Sequence, residues 1–334
     1  MEDLSCNYLG LKLSSPVIAG SSGLTDNLVS IRKLEHYGAG AVVLKSLFEE
    51  EIVLEKQAGI SRMSAGSSLY PEAVDFYEFN EGPKESTAEY LDFIRLLKKE
   101  ISIPVIASIN CQTAEQWTWF PKEIESAGAD ALELNLFLLP TDLARNAQST
   151  EQLYFDIIRT VRERISIPLS IKISFYYSNL AMFIRQLSET GIQGIVLFNR
   201  FYSPDFDIEN MKVTSGFVLS SPGDLALSLR WIAIMSGRVS CDLAASTGVH
   251  DAGALVKQIL AGANAVQVTS ALYRHGAEHI GKMLSDLKDW MKKHDMKTIG
   301  DFRGKLSQVN IKNPAAYERV QFIKYFRGYE PDTD

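Results

Sequence analysis

The sequence predicts an α/β protein with a (β/α)8 (TIM) barrel, and three observations support this fold class. Eight short apolar segments have the length and composition of parallel strands that are buried on both faces. Segments with helical patterns lie between most of these strands, so strands and helices alternate along the 334 residues. Each strand ends on polar residues, and the carboxyl ends of barrel strands form the face on which barrel enzymes place their active sites.

The eight strands belong to two types that alternate along the chain. Strands of one type follow a glycine that ends a helix, and they lie within residues 37–46, 126–135, 190–199 and 260–270. Strands of the other type lie within residues 15–22, 101–110, 165–174 and 237–246. A proline precedes the first three of this second type, where proline suits the start of a strand. A doubly wound sheet is the less favoured alternative, because no linker divides the eight similar units.

A hairpin, two long loops and a set of helices complete the prediction of a single domain over residues 1–334. Residues 1–14 alternate in polarity and predict a short N-terminal hairpin at the bottom of the barrel. Long connections follow strands two and six, at residues 47–86 and 200–221, and loops of such length are usually functional. Helices are predicted at residues 26–37, 87–99, 114–127, 150–165, 180–190, 222–235, 251–261, 271–293 and 314–326.

Charge and cysteine content narrow the classes of function. The formal net charge of -7 leaves no basic excess to neutralise phosphates, so we expect no nucleic-acid partner. The three cysteines are widely spaced, and His275 and His279 lack a third ligand, so no metal site is predicted. The N-terminus has no signal-peptide pattern, and no apolar run reaches the length of a membrane span. We therefore expect a cytoplasmic protein with no membrane partner.

Strands seven and eight end on small residues that suit a phosphate. Residues 245–248 (Ala-Ser-Thr-Gly) end strand seven, and Thr269 and Ser270 end strand eight and open a helix. Barrels often bind a phosphate at these two loops, through backbone N–H groups and a helix N-terminus. Thr269 and Ser270 are equally compatible with a simple helix cap, but the two loops together favour phosphate binding.

Two lysines and three asparagines stand at other strand ends. Lys45 and Lys172 follow apolar residues, and a lysine there either emerges at the rim of the barrel or faces an anionic group. Asn110, Asn135 and Asn199 end three different strands and offer amide donors and acceptors. These amides suit the edges of a planar heterocycle such as a flavin or a pyrimidine. Lys172 suits negative charge on the N1–O2 edge of a flavin.

The strand ends resemble those of one family, the dihydroorotate dehydrogenases, especially the class 1 enzymes, and the related barrel of dihydropyrimidine dehydrogenase. The resemblance covers nearly the whole chain and rests on segments such as SPVIAGSSG, GAGAVVLKS, AGADALELN, IPLSIKIS, GIVLFNRFY and GANAVQVTSALY. It implies FMN at the mouth of the barrel and a homodimer. It also implies oxidation of dihydroorotate, or of a related dihydropyrimidine, by hydride transfer to the flavin in pyrimidine metabolism.

The resemblance assigns roles to individual residues. Lys45 matches a lysine near both flavin and substrate and is the candidate catalytic residue. Asn135 and Asn199 match asparagines at the substrate, and Lys172 matches a lysine that faces the flavin. The residues assigned to the flavin or its phosphate are Gly20, Ser21, Ser22, Lys45, Ser46, Asn110, Asn135, Lys172, Phe198, Ser221, Thr247, Gly248, Thr269 and Ser270. The family usually has Gly-Gly at Thr247-Gly248 and Gly-Thr at Thr269-Ser270.

The substrate side departs from the family pattern. The family's loop Asn-Leu-Ser-Cys-Pro-Asn reads Asn-Leu-Phe-Leu-Leu-Pro in residues 135–140. Leu138 stands in place of the cysteine that is the class 1 catalytic base, and leucine cannot accept a proton. The family's Asn-x-x-Gly-Leu-x-Asn loop after strand two has no counterpart in residues 47–86. A base would have to come from elsewhere, such as Tyr202, Cys111 or the long loops.

Four functions remain open on the sequence alone. The first is FMN-dependent oxidation of dihydroorotate, and the second is FMN-dependent reduction of a different small-molecule substrate. A non-catalytic FMN-binding barrel is the third, and the fourth is a flavin-free barrel that binds a sugar phosphate. This last function leaves Lys172 and the three asparagines unexplained. Because the chain has no cysteine clusters and no second domain, electrons would pass to a soluble acceptor or to a separate electron-transfer subunit.

Overall fold

The computed structural model describes residues 2–48, 87–111, 119–136, 138–200, 204–216 and 218–318. Within these residues, eight parallel strands form a barrel with helices between them, which confirms the predicted fold class. We number the barrel strands one to eight in chain order. They are Val17–Ala19, Ala41–Val43, Val105–Cys111, Ala131–Leu136, Leu169–Ile173, Gly194–Leu197, Asp242–Ser246 and Ala265–Val268.

Backbone hydrogen bonds close the sheet into a ring. Each barrel strand pairs in parallel with the next one along the chain, from strand one to strand eight. Strand eight then pairs with strand one, where Val266 lies opposite Val17. A closed ring leaves no unpaired strand edge, and all eight carboxyl ends open to the same face. We call this face the barrel mouth.

The helices lie close to their predicted positions. In the described residues they are α1 Leu28–His36, α2 Thr87–Glu100, α3 Phe120–Ala127, α4 Ala147–Arg162, α5 Leu180–Ser188, α6 Leu225–Met235, α7 Ala252–Ala261, α8 Ser270–His275 and α9 Glu278–Lys293. Asparagine or aspartate side chains cap several of them, and Asn27 of α1 accepts a hydrogen bond from the backbone of Ser30 at 2.9 Å. Residues 114–118 of the predicted third helix lie outside the described residues.

Two helix predictions are wrong in detail. The sequence predicts one helix over 271–293, but the structure has α8 and α9 with a break at Gly276. Gly276 has φ +79°, a conformation that glycine adopts without strain, and its backbone N–H bonds the carbonyl of Leu272 to end α8. Of the predicted last helix, Pro314–Tyr317 forms a 3-10 turn, and residues beyond 318 lie outside the described part of the chain.

The predicted N-terminal hairpin closes the bottom of the barrel. Cys6–Tyr8 pairs antiparallel with Leu11–Leu13, and Leu9 and Gly10 form the turn with φ +57° and +75°. The turn enters the barrel, where the backbone N–H of Leu9 donates to Oδ2 of Asp242 at 2.8 Å. Strand six gives room for it at Gly194, because a Cβ there would lie 2.4 Å from the Leu9 side chain.

The long loop after strand six contains a second hairpin that the sequence did not predict. Pro204–Asp207 pairs antiparallel with Lys212–Ser215, and its apolar side chains Phe206 and Val213 are exposed. The loop after strand two begins with a short strand, Leu47–Phe48, that pairs with strand three. Residues 49–86, which hold the rest of this predicted loop, lie outside the described residues.

Two glutamates hold equivalent turns at the bottom of the barrel. The sequence Ile-Ser-Ile-Pro occurs before strand three and before strand five. In the first copy, Oε1 of Glu35 accepts from the backbone and hydroxyl of Ser102, at 2.7 and 2.6 Å. In the second copy, Oε1 of Glu125 accepts from the backbone of Ser166 at 2.8 Å and from its hydroxyl. Glu35 thereby ties α1 to the start of strand three, and Glu125 ties α3 to the start of strand five.

The interior of the barrel changes from apolar to polar towards the mouth. Near the bottom it holds a small cluster of buried residues that includes Tyr8, Leu13, Ile18 and Val196. A second, larger apolar core lies between the outside of the barrel and the helices. Nearer the mouth, buried polar side chains such as Glu133 replace the apolar ones. Buried polar groups need partners, so this upper layer is the part of the barrel that suits a functional site.

Candidate functional site

The register of the sheet brings three predicted residues to one level at the mouth. Asn110 on strand three lies opposite Asn135 on strand four, and Asn135 lies opposite Lys172 on strand five. Residues at the same register of paired strands point to the same side of the sheet. Lys172 contacts Gln267 of strand eight, on the far side of the ring, so this side is the barrel interior.

The third predicted asparagine joins this group through a side-chain hydrogen bond. Asn199, after strand six, donates its amide to Oδ1 of Asn135 at 2.7 Å and accepts from the backbone N–H of Arg200 at 2.9 Å. These bonds define the orientation of both amides and leave the NH2 group of Asn135 without a partner among the described residues. The Oδ1 atom of Asn110 is buried and likewise has no hydrogen-bond partner there.

Serine hydroxyls link strands one, two and three. The hydroxyls of Ser21 and Ser46 are 3.1 Å apart, and those of Ser46 and Ser108 are 2.7 Å apart. Ser22, by contrast, donates its hydroxyl to the carbonyl of Gly20 within its own turn. A side chain at Gly20 would meet the hydroxyl of Thr269 at 2.5 Å, so strands one and eight approach closely here.

Lys45 at the end of strand two occupies a smaller recess. Its half-buried side chain lines a cavity of about 180 Å³ with Asp26, Glu89 and Tyr90. Tyr90 of α2 fixes strand three, because its hydroxyl donates to the carbonyl of Ser108 at 3.1 Å and accepts from the backbone N–H of the same residue. The recess therefore combines one cation with two carboxylates at the edge of the mouth.

A buried chain of three side chains crosses the barrel beneath the mouth. Lys172 Nζ donates to Oε1 of Gln267 at 2.9 Å, and Nε2 of Gln267 donates to Oε2 of Glu133. The exposed fractions are 9% for Lys172, 2% for Gln267 and 1% for Glu133. We call this set the Glu133–Gln267–Lys172 relay. Within the described residues, Gln267 is the one hydrogen-bond partner of the Lys172 ammonium, which has three N–H groups.

Burial perturbs both charges of the relay. It raises the pKa of Glu133, and the nearby Lys172 charge and the Gln267 amide oppose that rise. Burial lowers the pKa of Lys172, and the Glu133 charge opposes that fall. Sequence reasoning singled out Lys172 but missed Glu133 and Gln267. The signal was present, because each is a polar residue at an inward position within an apolar strand, in ALELN and AVQVT.

The loops after strands six, seven and eight meet at Ser220. Its backbone N–H donates to the hydroxyl of Ser270 at 2.9 Å, and its carbonyl accepts from Arg274 at 3.2 Å. Its hydroxyl is 3.2 Å from Nε2 of His250, and burial followed by the charge of Arg274 lowers the pKa of this histidine. The assigned neighbour, Ser221, is instead exposed and bonds Asp224. Only one of two adjacent serines therefore faces this junction.

The end of strand seven has a strained backbone. Thr247 has φ +77°, which is unfavourable for a β-branched residue, and its hydroxyl donates to the carbonyl of Phe198 at 3.1 Å. The next residue, Gly248, has φ +79°, and a Cβ there would lie 2.1 Å from the backbone nitrogen of Leu225. The glycine therefore allows the loop of strand seven to contact the start of α6.

Apolar and aromatic side chains line the outer part of the mouth. A cavity of about 460 Å³ lies between Phe198, Asn199, Thr247 and the ring of Tyr176. A second cavity of about 280 Å³ is lined by Leu138, Leu139, Pro140 and by Tyr176 and Tyr177. Leu138 is half-buried and packs on the apolar core. The loop after strand four thus presents hydrocarbon to this side of the site.

Two other kinds of feature are absent from the described ranges. No group of three or more His, Cys, Asp or Glu side chains there has a metal-binding arrangement. Every helix of the described ranges is too short or too polar to span a membrane.

Comparison with known proteins shows which family this barrel and its site belong to. The model of the family described as dihydroorotate dehydrogenase matches residues 3–291. The chain belongs to the dihydroorotate dehydrogenase family. Its members are flavoproteins that use FMN, and the predicted family and the predicted oxidoreductase class are confirmed.

Individual relatives are distant in sequence but similar in length. The chain is 26% identical over 314 residues to the catalytic subunit of dihydroorotate dehydrogenase B (NAD(+)) of Thermoplasma volcanium, covering 91% of this chain and 98% of the relative. It is 25% identical over 306 residues to dihydroorotate dehydrogenase A (fumarate) of Limosilactobacillus reuteri, covering 89% and 96%. It is 24% identical over 328 residues to the chloroplastic dihydropyrimidine dehydrogenase (NADP(+)) of Arabidopsis thaliana, covering 90% and 76%.

Within the dihydroorotate dehydrogenase family, this chain needs a different base, and the candidates named above are Tyr202, Cys111 and the long loops. Tyr202 and the side chain of Cys111 lie outside the described residues. Leu138, where the resemblance places the family's cysteine, offers only hydrocarbon. Tyr177 lies next to it, but burial raises the pKa of its hydroxyl and makes the phenolate still less accessible.

Proposed function

We propose that this protein is an FMN-dependent oxidoreductase that oxidises dihydroorotate, or a closely related dihydropyrimidine, to the unsaturated ring. The observation that carries the proposal is the buried Lys172 at the mouth of a barrel of this family. Its ammonium has one hydrogen-bond partner among the described residues, and a buried cation favours an anionic or electron-rich acceptor. The relatives that are named dihydroorotate dehydrogenases support the choice of substrate.

Several observations fit the flavin to this site. The unpaired buried Oδ1 of Asn110 suits a ring N–H, and the Lys172 ammonium suits the electron-rich N1–O2 edge. The phosphate suits the junction at Ser220, where Gly248 lets the loop of strand seven approach the start of α6 and Ser270 begins a helix. Because α8 has only six residues, we expect its backbone N–H groups to matter more than its dipole. FMN, when bound, supplies an acceptor for hydride.

The asparagines give the substrate side its polar contacts. The NH2 group of Asn135 is the free end of the Asn135–Asn199 pair, and it can donate to a carbonyl or carboxylate oxygen. Asn199 holds this amide in place and cannot flip without losing two hydrogen bonds. Lys45 adds a cation at the edge of the mouth, which suits the carboxylate of dihydroorotate. These residues bind and orient the substrate, and orientation alone lowers a reaction barrier considerably.

The hydrocarbon of Leu138 favours a second candidate, an FMN-dependent reductase of a less polar unsaturated compound. Oxidation of dihydroorotate needs a group that accepts the C5 proton, and losing a general base usually costs about 10²–10⁴-fold in rate. Leu138, Leu139 and Pro140 line a cavity together with Tyr176 and Tyr177. Such a wall suits an apolar or aromatic ring better than it suits a pyrimidine.

The electron acceptor and the assembly state are part of the proposal. Two of the cited relatives are named for NAD(+) or fumarate, and one of them is a catalytic subunit. We infer that this chain passes electrons either to a small soluble acceptor or to a separate electron-transfer subunit. A homodimer is the expected assembly by analogy with class 1 enzymes, and sedimentation analysis of the purified protein tests it.

One anaerobic experiment tests both candidate functions. The purified protein is expected to be yellow and to release FMN, not FAD, when it is denatured. Addition of dihydroorotate without oxygen should then bleach the visible flavin absorbance. If the flavin stays oxidised with dihydroorotate, the protein is reduced chemically and then mixed with an apolar enone. Reoxidation of the flavin by the enone would favour the reductase. A colourless protein that cannot be reconstituted with FMN would rule out both functions.

A further inference from the structure

The amide of Gln267 lies between a carboxylate and an ammonium, and this decides its orientation. Its carbonyl oxygen faces the donor Lys172, and its NH2 group faces the acceptor Glu133. The flipped amide would place NH2 against an ammonium and oxygen against a carboxylate, so both contacts would become repulsive. Glu133 thus orients the acceptor of a lysine that lies on another strand.

The relay is too deeply buried for water to take over the role of Glu133. All three side chains are more than nine-tenths buried. An isolated buried ammonium would lose its proton or move towards solvent, because an unpaired charge is costly in a low dielectric. At its own level of the sheet, Lys172 lies between Asn135 of strand four and Val196 of strand six, and neither side chain carries a charge. Glu133 is the carboxylate whose charge acts on Lys172.

We propose that Glu133, acting through Gln267, is a positioning residue that keeps the Lys172 ammonium charged and aimed at the barrel mouth. The part of the inference in which Lys172 contacts the flavin rests on the proposed function. The relay would then stabilise the reduced, more negative flavin and so raise its reduction potential. Glu133 itself needs no contact with the flavin.

A merely structural role for Glu133 predicts a different result. If the three side chains only fill the barrel, removing the Glu133 charge would change stability and would act on the flavin through space. Loss of a nearby negative charge makes reduction easier and shifts the potential upwards. Loss of a fixed Lys172 ammonium makes reduction harder and shifts the potential downwards. The sign of the shift therefore separates the two explanations.

The test is a double-mutant cycle on the flavin-loaded protein. The variants are Glu133→Gln, Lys172→Met and the double substitution, with Gln267→Met as a second way to interrupt the relay. Gln258→Met is the matched control, because Gln258 is fully buried and bonds the hydroxyl of Ser228 outside the barrel. The readouts are the dissociation constant of FMN and the flavin reduction potential.

We expect Glu133→Gln to weaken FMN binding by about tenfold to a hundredfold, the factor for one charge-assisted hydrogen bond, and to lower the potential. In the Lys172→Met background the same substitution should have no further effect on FMN binding, because its target is gone. Gln267→Met should behave like Glu133→Gln, and Gln258→Met should change neither readout. Additive effects in the cycle, or a potential that rises in Glu133→Gln, would overturn the relay.

A measurement on the flavin-free protein separates failure of the relay from failure of the proposed function. Lysine labelled at Cε reports the protonation of Lys172 by NMR, and its signal is assigned with the Lys172→Met variant. The pKa of Lys172 should fall further in Glu133→Gln than in the natural sequence. An unchanged titration contradicts the relay whether or not FMN binds. A protein that shows the shift but binds no FMN contradicts the proposed function only.

Discussion

The side-chain amide of Asn199 donates a 2.7 Å hydrogen bond to Oδ1 of Asn135 across the end of strand five. One of the two amides is therefore a donor and the other an acceptor. Because Asn199 also accepts from the backbone of Arg200, the direction of the bond is defined from both sides. This asymmetry makes the two asparagines different in ways that a substitution can reveal.

We predict that Asn199→Asp destabilises the protein by about 1–3 kcal/mol at neutral pH, because a carboxylate oxygen would face the carbonyl oxygen of Asn135. Asn135→Asp should be nearly neutral for stability, because an aspartate oxygen still accepts from Asn199. It should nevertheless weaken substrate binding, since the free NH2 group is lost. Urea unfolding and the KM for dihydroorotate measure the two effects. Equal loss of stability in both variants would contradict the asymmetry.

Thr247 offers a test of backbone strain. Its positive φ costs about 1–3 kcal/mol, and its hydroxyl bonds the carbonyl of Phe198. We predict that Thr247→Val, which keeps the strain and loses the bond, lowers the free energy of unfolding by about 1–2 kcal/mol. Thr247→Gly loses the same bond but relieves the strain, so its net change should be close to zero. Urea unfolding compares the variants, and a glycine variant less stable than the valine variant would argue against strain.

Substitutions at Gly248 and Gly191 separate the steric role of a glycine from its backbone conformation. Both have positive φ, at +79° and +82°, but a Cβ at Gly191 would meet nothing within 4 Å. We predict that Gly191→Ala costs about 1–2 kcal/mol from backbone strain alone. Gly248→Ala should cost more, because its Cβ would collide with the backbone of Leu225, and it should lower the FMN content per protein. Thermal unfolding and flavin absorbance provide the measurements, and an unchanged FMN content in Gly248→Ala would remove this loop from the phosphate site.

The pKa of Glu125 predicts how the free energy of unfolding depends on pH. Burial raises the pKa of its carboxyl, but hydrogen bonds from Lys122 and Ser166 outweigh burial and bring the pKa from 4.5 down to about 2. Because the folded pKa is depressed, the stabilisation is complete above pH 4.5 and is lost as the pH falls towards 2. We predict that Glu125→Gln loses about 1–3 kcal/mol at pH 7. The gap between variant and natural protein should close as the pH is lowered through that window.

The control for this prediction is Glu163→Gln, which removes an exposed carboxylate at the C-terminal end of α4. It should leave stability unchanged at both pH values of the test. Urea unfolding at pH 7 and at about pH 3 is sufficient, since the prediction concerns a difference between variants. A constant gap between Glu125→Gln and the natural sequence across this range would show that the carboxylate charge is not what the turn requires.

The order of strands and helices could be predicted from the sequence, because it depends on local patterns. Apolar runs of strand length, the glycines that end helices and the prolines before strands all act within a few residues of each other. The positions of Lys172, Asn110 and Asn135 at strand ends followed directly, since parallel strands in a ring place all their carboxyl ends on one face. The family resemblance used the same local segments, and the family match bears it out.

Three structural details could not be predicted from these local patterns. The break at Gly276 depends on one left-handed residue within a sequence that is otherwise helical. The choice between Ser220 and Ser221 at the junction of the three loops depends on how an irregular loop turns, and irregular loops have no periodicity to read. The hairpin at Pro204–Ser215 has strands of four residues each, too short to give a clear alternation.

The sequence by itself thus determined the barrel, its family and the residues that end its strands. Only the tertiary structure decided that Glu133, Gln267 and Lys172 form one relay, with partners 95 and 134 residues apart in the chain. Contacts across a barrel depend on how the strands are staggered and how the ring closes, and neither is encoded in the spacing of residues along one strand. A buried polar residue in a sequence indicates that it needs a hydrogen-bond partner, but only the closed fold shows which residue that partner is.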